Sequence, residues 1–303
     1  MPLTTTGELI TRADAARTAV PAFNVISLEH VEAVVAGAES AGAPVVLQVS
    51  ENAVRFRGGR LLPLARAATA AAEQARVPVA LHLDHIQSDD LLHQAADAGF
   101  SSVMYDASRL PYAENLAATR AAADRAHAQG LWIEAELGWV GGKDTVRVGG
   151  KEAAQTGGEA GAPPLDAHAP GARTDPDEAR AFVADSGVDA LAVAIGSVHA
   201  MTTRTATLDH TLLGRLNAAL DVPLVLHGSS GVPDTELRAA VAGGIAKVNI
   251  GTALNVAMTG AVRDFLTEHP DVVDPRKYVR AGRDAMVTTV TRLVGVLCAR
   301  TAP

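Results

Sequence analysis

Short runs dense in Val, Ile and Leu alternate along the chain with longer Ala-rich amphipathic stretches, and this alternation leaves few folds open. The apolar runs fall at Pro21–Val25, Pro44–Val49, Val79–Asp84, Ser101–Tyr105, Leu131–Glu136, Ala190–Ile195, Leu224–His227 and Lys247–Ile250. Helical periodicity fills Leu28–Ala41, Leu61–Gln74, Asp89–Ala98, Ala113–Ala128, Pro176–Asp185, Asp209–Leu220 and Asp234–Ala242. Several runs are apolar almost without interruption, as strands covered on both faces by helices must be. Ser88, ahead of Asp89 and Asp90, reads as a helix N-cap, while Gly99 and Gly130 read as helix stops.

Repeats of strand and helix with short connections predict an α/β fold: a (β/α)8 TIM barrel of roughly 250 residues. Val256–Leu266 and Arg276–Ala299 are then extra C-terminal helices, and residues 1–303 form a single domain. A doubly wound open sheet is the alternative. It normally carries a Gly-rich dinucleotide turn after its first strand, and Asn24-Val25-Ile26-Ser27 is no such turn. One stretch, 141–174, breaks the rhythm. Glycine pairs begin the segments GGKDTVRV, GGKEAAQT and GGEAGAPP, a degenerate eight-residue repeat expected to form a mobile, Gly-rich active-site loop.

Composition narrows the function classes. With 303 residues and 48% hydrophobic content the chain buries a sizeable core, built from aliphatic side chains because aromatics are only 3%. The net charge of −8, without a Lys/Arg cluster, argues against a nucleic-acid partner. Cys298 is the sole cysteine, which excludes an intramolecular disulfide framework and fits a reducing compartment. No apolar run reaches about 18 residues, and the first residues lack the charged-then-apolar pattern of a signal peptide. The expectation is a cytoplasmic protein with no membrane partner.

In a barrel of this kind, reacting groups come from the C-terminal ends of strands and the loops that follow. Asp84 and His85 end the third run, Asp106 follows the fourth, Glu134 and Glu136 end the fifth, His199 follows the sixth and His227 ends the seventh. Three imidazoles and several carboxylates on one rim suit a divalent cation with an open, catalytic position. His82, on the same strand face as Asp84, is read as a neighbour supporting that site or as simple packing. Asp84 and His85 can serve one site only if the strand has ended or bulged between them. Gly228-Ser229-Ser230 after the seventh run and Asn249-Ile250-Gly251-Thr252 after the eighth fit phosphate, because small residues admit an anion to backbone N–H groups at a helix N-terminus.

The segments PAFNV, HLDH, VMYDAS, EAELG, AVAIGSVHAM, LVLHGSSG and KVNIGTALN resemble the class II, zinc-dependent fructose-bisphosphate and tagatose-bisphosphate aldolases, in order and spacing from Pro21 to Val294. The resemblance implies Zn²⁺ held by His85, His199 and His227, and proton transfer by Asp84. It implies that Asp106 and Glu136 hold a second or alternate metal, with a monovalent cation as a further possibility. Gly228, Ser229, Ser230, Asn249, Ile250, Gly251 and Thr252 match segments holding dihydroxyacetone phosphate, and Ser50 in QVSENA matches a contact to the aldehyde-phosphate half. The family loop glutamate that exchanges the C3 proton is replaced here, with Asp144 as its substitute. The family's usual glycine after the sixth-strand histidine is Ala200. Gly251 fits neither the fructose-type nor the tagatose-type motif, so the epimer stays open. Arg55, Arg57 and Arg280 are the candidates for the far phosphate. A homodimer or homotetramer is implied, with the apolar stretch Ala285–Val296 as a packing element.

A Schiff-base aldolase is disfavoured by the lysine inventory. Lys143 and Lys151 lie in the Gly-rich loop, Lys277 lies in the C-terminal extension, and Lys247 starts the eighth run, towards the wrong barrel end. The alternative from another class is a non-catalytic sugar-phosphate-binding or partner-stabilising subunit on an aldolase scaffold, motivated by the altered loop and Ala200. A metal-dependent hydrolase would show His-x-His after the first strand, which is absent.

Overall fold

The computed structural model describes residues 2–138, 140, 147–148, 151–152 and 172–299. Eight parallel strands close on themselves in chain order: β1 (Val20–Asn24), β2 (Val45–Ser50), β3 (Val79–Ile86), β4 (Ser102–Tyr105), β5 (Trp132–Leu137), β6 (Ala190–Val193), β7 (Leu224–Leu226) and β8 (Ile245–Ile250). β8 returns to β1 with Val20 opposite Lys247 and Ala22 opposite Asn249. The helices are α1 (Thr6–Ala15), α2 (Leu28–Ala41), α3 (Glu51–Phe56), α4 (Leu62–Gln74), α5 (Asp89–Gln94), α6 (Tyr112–Ala128), α7 (Pro176–Ser186), α8 (His210–Ala219), α9 (Asp234–Ala242), α10 (Thr252–Glu268) and α11 (Pro275–Leu297). The expected (β/α)8 barrel with extra C-terminal helices is therefore what forms. None of the described helices is long and apolar enough to cross a membrane.

The period of two along each strand divides the residues between two cores. Ala19, Phe23 and Val25 of the first repeat, Leu81 and Leu83 of β3, and Ile133 and Ala135 of β5 pack outward against the helices. Val20, Ala22, Val46, Ala80 and Ala246 point inward and meet Leu9, Ile10 and Ala13 of α1, which plugs the N-terminal end of the barrel. Above this apolar floor the interior turns polar, with His82, Asp84, Glu134, Glu136, His227, Lys247 and Asn249 all buried. Enclosed polar groups need partners, so this interior is a hydrogen-bonded network.

Two helices lie where no element was expected. α1 is announced by Thr5, whose side chain accepts the Glu8 N–H at 3.3 Å, a Thr-x-x-Glu pattern that reads as a helix start. α3 begins directly after β2 because Ser50 caps it, accepting the Ala53 N–H at 3.2 Å. At the other end α11 packs along α2 and α10, and Leu297 O accepts from Ala19 N at 3.1 Å, tying the C-terminal helix to the entry of β1. Most of the Gly-rich stretch 141–174 lies outside the described residues. Within it, Arg147–Val148 pairs antiparallel with Lys151–Glu152. Thr174, where the chain re-enters the barrel, donates through Oγ1 to Leu137 O and accepts from Ala194 N, bridging the ends of β5 and β6.

Candidate active site

The strand ends bring the three distant imidazoles together. Ring centroids lie 4.7 Å apart for His85 and His227, 5.4 Å for His85 and His199, and 6.0 Å for His199 and His227. One donor atom from each of His85, Glu136, His199 and His227 lies within 4.8 Å of all the others. Nitrogen and carboxylate donors in this number suit a zinc-like divalent cation after small side-chain adjustments. Asp106 stands just behind this group, its Oδ2 2.9 Å from His85 Nδ1, where it orients the ring.

The conflict between Asp84 and His85 is resolved by the backbone. The β3–β4 register shifts between Leu83 and Ile86, and His85 adopts φ +48°, in the left-handed region that non-glycine residues rarely enter. Both side chains thereby face the rim. Glu51 of α3, a buried residue that sequence reasoning missed, accepts the Gln87 N–H at 2.6 Å and the Ser88 N–H at 3.3 Å. It pins the loop that follows His85. After β6, Ala200 also sits at positive φ, +60°, which explains why glycine suits this position in the resembled family.

Asp84 is 2% exposed, and both of its oxygens are engaged. Oδ2 accepts from Asn24 Nδ2 at 2.7 Å and Oδ1 from Asn249 Nδ2 at 3.3 Å. Gln48 Nε2 in turn donates to Asn24 Oδ1 at 3.0 Å, so an amide chain from β2 through β1 fixes the carboxylate. Burial alone would raise its pKa, but the charges of His85, His82 and Lys247 outweigh this and hold it below the usual carboxylate range. Asn24 and Gln48 were not among the expected site residues. Their signal was available: both are polar residues at inward positions of otherwise apolar strands.

His227 has carboxylates on both sides, Glu136 Oε2 2.8 Å from Nδ1 and Glu134 Oε1 2.7 Å from Nε2. Burial opposes its charge, yet these two hydrogen bonds prevail and lift it to about 9. Lys247 is placed differently from the expectation. The strand starts at Ile245, and a register irregularity between Ile245 and Lys247 turns both Ala246 and Lys247 inward. Lys247 is fully buried, its Nζ 2.7 Å from Glu134 Oε2. An ammonium locked to a carboxylate is not the free amine that a Schiff base needs.

The two small-residue segments are stitched to each other. Gly228 takes φ +65°, and Ser229–Gly231 forms a single 3-10 turn. Ser230 Oγ accepts the Ala253 N–H at 3.1 Å, joining the loop after β7 to the first turn of α10, which Gly251 caps. A side-chain carbon on Gly251 would sit 3.1 Å from Asn24 Oδ1, so glycine lets this turn lie against the Asp84 network. Ile250 closes β8 and Thr252 opens α10. Ser50 lies at the end of β2, where its hydroxyl oxygen caps α3 and its O–H can still donate. Of the far-phosphate candidates, Arg55 pairs with Glu51, Arg57 donates to Ile26 O, and Arg280 is exposed on α11. Asp144 falls outside the described residues.

A closed parallel barrel with imidazoles, carboxylates and small-residue loops gathered at the C-terminal strand ends has the architecture of a TIM-barrel enzyme. The family model for class-II fructose-bisphosphate aldolase matches residues 4–300. A Geobacillus stearothermophilus protein named fructose-bisphosphate aldolase is 38% identical over 292 residues, covering 96% of this chain and 95% of its own. The crystal structure of the YdjI aldolase from Escherichia coli K12 superposes with a TM-score of 0.78 at 29% identity, over 98% of each chain. A fructose-bisphosphate aldolase structure from Campylobacter jejuni, 23% identical, shares the fold with a TM-score of 0.76 over 99% of this chain and 97% of its own. The chain belongs to the class II fructose-bisphosphate aldolase family. It is a ketose-bisphosphate aldolase, a lyase acting on a sugar phosphate, and these relatives lend no support to a non-catalytic subunit.

Proposed function

We propose that the protein is a zinc-dependent aldolase that reversibly cleaves a ketose 1,6-bisphosphate of fructose or tagatose type into dihydroxyacetone phosphate and an aldehyde phosphate. The observation that carries this reading is the convergence of His85, His199, His227 and Glu136 beside an Asp84 carboxylate held by two amides. In it, His85, His199 and His227 hold the zinc, Glu136 offers an alternate ligand position, and Asp106 orients His85 or binds a second cation. When bound, the cation supplies Lewis-acid polarisation of the substrate carbonyl oxygen. Asp84, ionised and buried, takes the proton from the C4 hydroxyl as the C3–C4 bond breaks and returns it in condensation. Gly228, Ser229 and Ser230, with the turn from Asn249 to Thr252, grip the phosphate of the dihydroxyacetone half through backbone N–H groups. Ser50 contacts the aldehyde-phosphate half, and Asp144 exchanges the C3 proton. The protein works in the cytoplasm as a homodimer or homotetramer, and neither nucleic acid nor membrane is a partner.

A coupled cleavage assay on one zinc-loaded preparation, run with fructose and tagatose 1,6-bisphosphates, tests this reading and identifies the epimer. Chelation abolishes turnover, and Zn²⁺ or Co²⁺ restores it. Full activity in metal-free protein overturns the proposal.

A further inference from the structure

Inside the barrel, directly beneath the imidazole cluster, lies an ion pair that the chemistry above does not use. Lys247 on β8 and Glu134 on β5 are both 0% exposed. Lys247 Nζ donates to Glu134 Oε2, and Glu134 Oε1 faces His227 Nε2, each at 2.7 Å. The other ring nitrogen, Nδ1, lies 2.8 Å from Oε2 of Glu136, itself a member of the donor cluster. Stability does not account for this arrangement, since apolar residues of similar volume often replace a buried ion pair at no loss. The apolar floor below is already closed by Val20, Ala22, Val46, Ala80 and Ala246 against α1. The pair sits where it touches the back of one candidate metal ligand.

We propose that Lys247 is a positioning residue for the metal centre, holding Glu134 so that its free oxygen accepts the Nε2 proton of His227 and leaves Nδ1 as the ligand atom. This inference rests on the metal reading given above. A neutral imidazole carries its proton on one nitrogen, and the group behind the ring decides which. Glu134 is long enough to adopt other rotamers. An ammonium on Oε2, enclosed on all sides, leaves Oε1 aimed at the ring. Because an ammonium only donates, it also dictates what any side chain at position 134 presents to His227. A glutamine there would give its oxygen to Lys247 and turn its NH₂ towards Nε2, forcing the ring proton onto Nδ1, the metal side.

Zinc affinity is measured by competition with a chromophoric chelator, on variants whose metal-free fold is checked by circular dichroism. Glu134→Gln is expected to weaken zinc binding by roughly 10–100-fold. Adding Lys247→Met to Glu134→Gln frees the amide to present its oxygen and restores most of that loss. A double variant that binds zinc no better than Glu134→Gln, or a Glu134→Gln protein that matches wild type, overturns the proposal. If Glu134→Gln does not fold, ¹⁵N-histidine spectra of zinc-loaded wild type decide it. A His227 ring protonated at Nε2 and coordinated through Nδ1 supports the proposal, and the opposite pattern overturns it. Wild-type protein that binds no zinc would instead defeat the metal reading itself.

Discussion

Gly228 joins the two halves of the site, and Gly228→Ala tests whether the loops bearing His199 and His227 depend on each other. Gly228 sits at φ +65°, and an added Cβ would lie 2.8, 2.9 and 3.0 Å from the backbone C, O and N of Val198. The left-handed conformation costs a non-glycine residue about 1–2 kcal/mol. Contact with backbone cannot be relieved by rotating a side chain, and overpacking adds about 1–3 kcal/mol. Together these predict a loss of about 2–5 kcal/mol. Gly130→Ala is the matched control: its φ is +71°, but nothing lies within 4 Å of an added Cβ. That variant should lose only the conformational part. Urea unfolding of the metal-free proteins measures the difference; with a slope of about 3 kcal/mol per molar, it amounts to about 0.3–1 M in midpoint. Val198 precedes His199 and Gly228 follows His227, so the same push separates the two rings and weakens zinc binding in Gly228→Ala alone. If both variants shift the midpoint equally and both bind zinc like wild type, the claimed interlock between the loops does not exist.

Three further outcomes are expected. Asp84→Asn should cut turnover by about 10²–10⁴-fold in the coupled assay, because the amide cannot take up the proton, while zinc titration stays near wild type, because Asp84 lies outside the donor cluster. His82 is fully buried and bonded to Ser102 Oγ at 2.8 Å; burial, aided by the Lys247 charge, pushes it from 6.5 down to about 3. A depressed imidazole pKa means that the unfolded chain takes up a proton first. Its contribution is therefore intact above pH 6.5 and is lost as pH falls from 6.5 towards 3, by about 1.4 kcal/mol per pH unit; a His82→Gln variant should show a shallower fall of urea midpoint between pH 7 and pH 4. Gly37→Ala on α2 places a Cβ 2.6 Å from both Cβ and Cγ1 of Val290 on α11 and should cost about 1–3 kcal/mol, measured by thermal unfolding; Val290→Ala in the same protein leaves the Cβ contact in place and should not restore wild-type stability.

Local chemistry made much of the barrel legible along the chain. α2 and α9 have the bounds that periodicity alone indicates, and the strands begin or end within a few residues of their apolar runs. Both are settled by neighbours in sequence, since a helical face or a doubly covered strand needs nothing distant to declare its period. The identities of His85, Asp84, His199 and His227 were equally open to reading, because strand ends of a barrel share one rim whatever the connections between them.

Other features depend on residues far apart in the chain. Whether Asp84 and His85 face the same rim was decided by the register shift against β4 and the left-handed turn at His85. Lys247 looked remote from the site, and a bulge against β7 turned it into the barrel beside Glu134, a partner 113 positions away. The amide clamp on Asp84 spans β1, β2, β3 and β8. Periodicity tells which side of a strand a residue occupies, but not which residue from another strand meets it there. Only closure of the sheet sets that. The sequence determined the barrel and the kinds of groups on its rim; the tertiary structure decided which of those groups touch.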